Sequence, residues 1–186
     1  MIGRWAALVL AGGRASRLGG IDKPALKHAG RSLLRHAVDA VAGADPVVVV
    51  GPRRPLGVAV TWTVERPPGG GPVAGLAAGL AELAGRPDDT VVVLLAADLP
   101  AVTPATVDRL LASAGPTAGA VLVDDTGREQ WLTSAWPLGS LRAALPTDPS
   151  GAALRVMLRD LPATRVPAEA GETADIDTPA DLDRLD

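Results

Sequence analysis

The sequence contains no cysteine, no phenylalanine and no tyrosine. The absence of cysteine excludes a disulfide scaffold, thiolate zinc sites and a cysteine nucleophile together. Two histidines, His28 and His36, are too few for an imidazole metal cage, and both read as packed or solvated residues of a basic, helix-like stretch. Four tryptophans are the only aromatic rings. A stacking platform for single-stranded nucleic acid needs several exposed rings, so that class is disfavoured. No apolar run approaches the roughly 18 residues of a membrane span. The opening Arg4-Trp-Ala-Ala-Leu-Val-Leu-Ala has the apolar look of a signal peptide, but Gly12-Gly13-Arg14 ends it early. It reads as a buried strand, and a cytoplasmic protein is expected.

What is present is a chain of 186 residues, 47% hydrophobic, mostly alanine, valine and leucine. That length suits one domain, residues 1–186, able to bury about 70% of its unfolded surface. The net charge of −3 argues against a general polyanion binder. The charge is uneven, however. Up to His36 the chain carries +6, and the remainder carries −9. A basic N-terminal segment on an acidic protein suggests a local anionic ligand, with a solvated helix face as the alternative.

Apolar, β-rich runs occur at Trp5–Leu10, Pro46–Val50, Val58–Val64, Thr90–Ala96 and Ala118–Val123, with Gln130–Pro137 as a further candidate. Several are apolar throughout, as strands buried on both faces of a parallel sheet are. Helix-period segments lie at Ser32–Val41, Val73–Ala84, Pro104–Ala114, Leu138–Ala144, Gly151–Leu161 and Pro179–Leu185. Thr103-Pro104 and Thr178-Pro179 each place a capping threonine before proline at the first helical position. The alternation predicts an α/β domain of three layers with a mostly parallel, Rossmann-like sheet.

The first strand runs into Leu10-Ala-Gly-Gly-Arg-Ala-Ser-Arg-Leu-Gly-Gly-Ile-Asp-Lys-Pro24. Ligands of open α/β sheets bind beyond the carboxyl ends of strands. A glycine-rich turn there lets backbone N–H groups approach phosphate oxygens, and Arg14, Arg17 and Lys23 add positive charge. The pattern is not a Walker A motif, because Lys23 lies between Asp22 and Pro24, and it lacks the dinucleotide Gly-x-Gly-x-x-Gly. Asp98 ends the apolar run of the fourth strand. Thr103 caps the next helix, which leaves Asp98 available at the ligand crevice. No Gly-x-Ser-x-Gly elbow or His–carboxylate pair is readable, so a reaction run by positioning and electrostatics is expected.

The pattern Leu10-Ala-Gly-Gly-x-x-x-Arg-Leu-Gly-Gly-x-Asp-Lys23 resembles the signature loop of the molybdenum cofactor guanylyltransferases, within the nucleotide-diphospho-sugar transferase fold. Gly71-Pro-Val-Ala-Gly-Leu76, Ala97-Asp-Leu-Pro100 and Asp177-Thr-Pro-Ala-Asp-Leu182 recur in that family's order. The resemblance implies an Mg²⁺-dependent transfer of GMP from GTP to the phosphate of molybdopterin, with pyrophosphate released. It implies catalytic roles for Arg17, Lys23 and Asp98. Leu10, Ala11, Gly12, Gly13, Lys23, Glu65 and Asp98 would bind the nucleotide, and Asp98 and Asp177 would hold the metal.

Some positions depart from the family pattern. Asp175 and Asp177 stand where guanylyl members tend to carry asparagine and cytidylyl members aspartate. Gly51 replaces an asparagine, Glu65 an aspartate and Leu132 a proline. Gly12 instead favours guanine, since cytidylyl relatives show Leu-Ala-Ala-Gly. Two alternatives stay open: a cytidylyl- or sugar-nucleotide-forming transferase, and a non-catalytic nucleotide or cofactor delivery protein. GTP and molybdopterin are the expected partners, with transient contacts to molybdoenzymes or other cofactor-biosynthesis proteins. No nucleic acid or membrane is expected.

Three further expectations concern packing. Trp5 and Trp62 are read as core, and Trp131 and Trp136 as near the acceptor. Gly71, Gly75 and Gly79 bare one helix face for packing on the sheet. The stretch from Glu169 to Asp186 holds seven acids and one arginine, and reads as solvated unless Asp177 is functional.

Overall fold

A computed structural model of the chain describes residues 4–12 and 22–174. β1 (Trp5–Leu10) is followed by a single turn of 3₁₀ helix at Lys23–Ala25 and a small hairpin, β2 (Lys27–His28) and β3 (Arg31–Ser32). Ala29 and Gly30 have φ of 46° and 76°. Positive φ at both central residues makes the tight turn that matches hairpin twist. Then come α1 (Leu33–Ala40), β4 (Val47–Val50), β5 (Thr61–Thr63), α2 (Pro72–Ala81), β6 (Val91–Ala96) and α3 (Pro104–Ser113). β7 (Gly119–Val123), β8 (Glu129–Pro137), α4 (Leu138–Ala144), α5 (Leu154–Leu158) and β9 (Ala163–Pro167) complete the described chain.

Seven strands form one sheet in the order β5-β4-β1-β6-β8-β7-β9. β5, β4, β1 and β6 are parallel; β8 runs against both its neighbours, and β9 is parallel to β7. β1 is the hinge of the topology. The chain first builds outward to β5, then returns to place β6 on the other side of β1, and such a reversal opens a crevice at the strand ends.

The strands are apolar throughout because both faces are covered. On one face Ala7, Val9, Val49, Val93 and Leu95 meet α1 and α3 through Leu34, Val38, Val107 and Leu110. On the other Leu8, Val48, Val50, Val92 and Leu94 meet α2, α4 and α5 through Leu76, Leu80, Leu141 and Leu158. This is the expected α/β/α domain. Each fully buried leucine or valine contributes about 1.5–3 kcal/mol of burial free energy. Thr103 caps α3 as predicted, accepting from the Thr106 N–H while Thr106 Oγ1 accepts from the Thr103 N–H.

Several elements differ from expectation. The strand expected over Val58–Val64 is only Thr61–Thr63, because β5 is an edge with one partner and Val58 and Val64 are exposed. The helix expected over Gly151–Leu161 is Leu154–Leu158, since Gly151 has a φ of +71°, outside helical backbone. The sequence pattern announces neither β9 nor the β2–β3 hairpin. β9 is mostly exposed, with Val166 its buried residue, and so lacks an apolar run. The helix expected at Pro179–Leu185 lies outside the described residues.

Trp136 also differs from expectation, while Trp5 and Trp62 pack against the core as expected. Trp5 and Trp62 are half-buried at the margin of one core, whereas Trp136 is fully buried in the other. Its Nε1–H donates to Ser134 Oγ at 2.8 Å, so the ring's polar atom is satisfied. The basic N-terminal segment is partly a helix face, as Arg31 and Arg35 both pair with Asp39, at 2.8 and 2.7 Å. His36 Nε2 donates to the His28 carbonyl at 2.9 Å and ties the hairpin to α1.

Candidate functional site

The carboxyl ends of β1, β4 and β6 continue to pair after the strands finish. The Ala11 N–H donates to the Val50 carbonyl at 2.8 Å, and the Ala97 N–H donates to the Leu10 carbonyl at 3.1 Å. Ala11 and Gly12 are thereby held between the ends of the neighbouring strands. Gly51, at φ +144°, permits this approach. A Cβ there would stand 2.8 Å from the Ala11 carbonyl carbon and 2.9 Å from the Gly12 nitrogen. Gly51 therefore supports the loop by letting backbone rest on backbone.

A cavity of about 330 Å³ opens over this rim. Leu10, Ala11, Gly12, Lys23, Glu65, Asp98 and Leu132 are among its lining residues. The N-terminus of α2 closes it through Gly71, Pro72 and Gly75. A helix N-terminus presents unpaired N–H groups and a partial positive charge, which favours an anion. Gly71, the N-cap, has a φ of +87° and open space where a Cβ would stand, so its role is backbone conformation. Gly75 and Gly79 do serve packing. A Cβ on Gly75 would lie 3.6 Å from Leu10 and Val50, and one on Gly79 would lie 3.1 Å from Leu8 and Val50.

Asp98 follows β6 in a turn and is half-buried. Lys23 opens the 3₁₀ turn, where Pro24 sits at a first-turn position and the Leu26 N–H donates back to the Lys23 carbonyl. Glu65 follows β5 and accepts the Gly69 N–H at 3.0 Å, which braces the proline- and glycine-rich loop before α2. Thus Leu10, Ala11, Gly12, Lys23, Glu65 and Asp98, expected from sequence to act together, line one cavity. Gly13, Arg14, Arg17, Asp175 and Asp177 lie outside the described residues.

Sequence reasoning missed Asp22 and Arg54 as parts of the cavity wall. Arg54 grips the Asp22 carboxylate through Nε and Nη2, at 2.8 and 2.6 Å. The guanidinium hydrogen bonds, ahead of a smaller opposing effect of burial, hold the Asp22 carboxyl below the usual aspartate range. The cue in sequence was faint: Arg54 lies in Gly51-Pro-Arg-Arg-Pro55, and its partner is 32 residues away.

Leu132 reaches the cavity because β8 is bulged. β7 pairs Val121 with Ser134 and then Leu122 with Gln130, skipping Trp131, Leu132 and Thr133. Thr133 still pairs with Leu95 on β6, and the Ser134 hydroxyl donates to the Trp131 carbonyl at 2.7 Å across the bulge. Trp131 is partly buried against the core.

Glu172 contradicts the expectation of a solvated acidic stretch. It is 5% exposed. The Thr106 hydroxyl donates to one carboxylate oxygen, while Arg109 and the Glu169 N–H donate to the other, at 2.5 and 2.7 Å.

Among the described residues no group of three or more histidine, aspartate or glutamate side chains forms a ready metal cage. Asp98, a half-buried carboxylate just after β6 in that cavity, instead fits Mg²⁺, which takes one or two carboxylates together with substrate phosphates.

Residues 7–166 match the MobA-like NTP transferase domain family. A molybdenum cofactor guanylyltransferase of Xanthomonas euvesicatoria is 35% identical over 97% of this chain and 94% of its own length. One from Acidiphilium cryptum is 31% identical over 95% of this chain and 91% of its own. The solved structure of a nucleotidyl transferase from Methanothermobacter thermautotroptrophicus superposes with a TM-score of 0.77, covering 98% of this chain and 96% of that one at 24% identity.

Proposed function

The chain belongs to the MobA-like NTP transferase family, and from that premise we propose that it transfers GMP from GTP to the phosphate of molybdopterin. An acceptor phosphate oxygen attacks the α-phosphorus of GTP. The bond from the α-phosphorus to the bridging oxygen breaks, and pyrophosphate leaves with the electron pair. The product is a guanine dinucleotide cofactor. The observation that carries this reading is the convergence of Leu10, Gly12, Lys23 and Asp98 on one cavity beyond β1 and β6.

In this reading the Gly12 backbone and the N-terminus of α2 orient the triphosphate. Lys23 stabilises charge moving onto the leaving pyrophosphate, with Arg17 and Gly13 as further contacts from the motif. Preorganised charges of this kind act without a protein nucleophile. Asp98 and Asp177 would hold Mg²⁺, which supplies charge neutralisation between phosphate oxygens when bound. Gly12 leaves room beside the base for a purine, with Glu65 close to that space. A Cβ on Gly12 would lie 3.9 Å from Glu65 Oε2. Transient contact with molybdoenzymes and a cytoplasmic location belong to the same reading; none of the described helices is long and apolar enough to cross a membrane.

The test is kcat/KM for the four nucleoside triphosphates with molybdopterin and Mg²⁺. GTP should exceed ATP by at least about tenfold, which is 1.4 kcal/mol, and CTP by more. A preference for CTP moves the chain to the cytidylyl branch and makes the Asp175/Asp177 pair the better guide. Nucleotide binding without pyrophosphate release would leave a delivery protein.

A further inference from the structure

Arg54 makes contacts that no ordinary surface arginine needs. Its side chain is 14% exposed, although its partner Asp22 is 50% exposed. Two of its nitrogens hold the Asp22 carboxylate, and Nη1 donates to the Ala11 carbonyl at 3.2 Å and the Pro52 carbonyl at 3.0 Å. Ala11 and Asp22 are the residues on either side of the glycine-rich stretch. One guanidinium therefore bridges its two ends and anchors both to the loop after β4. The backbone around it is equally close-fitting, since Gly51 rests against Ala11 and Gly12 with no room for a Cβ. Lys23 follows Asp22 directly and lines the same cavity as Gly12 and Arg54.

We infer that Arg54 is a positioning residue: it holds the two ends of the glycine-rich stretch at a fixed separation, so that the Gly12 backbone and Lys23 address the same triphosphate. Its charge is committed to Asp22, and its value lies in the planar fork. A lysine supplies a point charge and cannot hold a carboxylate and two carbonyls from one plane. The nucleotide readout rests on the guanylyl-transfer reading, and the exchange readout below does not.

The test compares Arg54→Lys, Asp22→Asn and the double variant. GTP affinity, kcat and KM are measured, together with hydrogen exchange of the apo protein. Arg54→Lys should weaken GTP binding about tenfold and lower kcat as well, with the melting temperature nearly unchanged. Asp22→Asn separates a brace from a direct phosphate ligand by sign. A brace loses its grip and GTP binding weakens, whereas an arginine freed to meet phosphate would bind GTP more tightly. The double variant should lose little beyond either single one. Exchange should quicken at the Ala11, Ala25 and Leu26 amides, whose acceptors are Val50, Asp22 and Lys23.

Full activity in Arg54→Lys, tighter GTP binding by Asp22→Asn, or unchanged exchange at all three amides would overturn the inference. If the wild-type protein binds no GTP, the guanylyl reading fails alone, and the exchange data still decide the brace.

Discussion

Gly12 and Gly119 each stand at one end of a strand, and each is small for a different reason. A methyl group on Gly12 would meet the Val50 carbonyl oxygen at 3.8 Å and Glu65 Oε2 at 3.9 Å, both ordinary contacts. One on Gly119 would stand 2.2 Å from the Trp136 ring. Around β1 the missing side chain leaves room that belongs to the cavity. Around β7 the room is already taken by an indole. The difference teaches that a glycine's meaning comes from what its absent side chain would touch. One half of the sheet keeps space for a ligand, and the other fills it.

The most damaging change should fall on the cavity side. Asp98→Asn is expected to lower turnover by about 10³-fold while leaving the melting temperature near wild type, with partial rescue by added Mg²⁺ or Mn²⁺. Steady-state kinetics against a metal titration reads this, and full activity would hand the metal to Asp175 and Asp177. Lys23→Ala comes next, with a loss of at least about 10²-fold, the scale for one preorganised electrostatic contact. Near-native rates with intact structure would remove Lys23 from the phosphates.

On the filled side the expected effect is on stability. Gly119→Ala should cost about 1–3 kcal/mol, the range for overpacking a core. Urea unfolding measures it, and kcat per folded molecule should stay at the wild-type level. A neutral Gly119→Ala would erase the contrast with Gly12.

Glu172 extends the contrast to pH. Burial pushes its carboxyl up, but the Thr106 hydroxyl, the Arg109 guanidinium and the Glu169 amide outweigh that and hold it below the usual glutamate range. A carboxyl depressed in the folded state contributes stability that is present above its unfolded pKa, about 4.3. That contribution fades as the pH falls through the folded value. Glu172→Gln should therefore flatten part of the acid limb of a melting-temperature profile. An unchanged limb would show that the network contributes nothing to acid stability.

The mildest prediction concerns Gly12→Ala. The methyl group fits, so the fold should hold, and the GTP-over-CTP preference should narrow by a few-fold, under about 1 kcal/mol. Selectivity ratios from competing nucleotides read it. An unchanged ratio would place base recognition elsewhere.

Local pattern was enough for much of this. Runs such as Val91–Ala96 announce a strand covered on both faces, and Thr103-Pro104 announces a capped helix. The glycine-rich loop with Lys23, and Asp98 at a strand end, carried the site. What stayed hidden depends on partners far along the chain. Arg54 looks like one arginine of a proline-flanked pair until the fold brings Asp22 to it. Glu172 looks solvated until α3 supplies Thr106 and Arg109. Trp136 looks no more buried than Trp5, because only the pairing of β7 with β8 sets its ring over Gly119.

The bulge in β8 divides that strand into a frame and an insert. Thr133 to Pro137 keep their pairs with β6, while Trp131 and Leu132 stand apart from the β7 ladder and Leu132 faces the cavity. Exchanging the insert reshapes the wall without shifting the register of the frame. The sheet thereby gains a replaceable panel: a chain of this architecture can change the shape of its cavity at Leu132 while the paired frame beside it stays as it was.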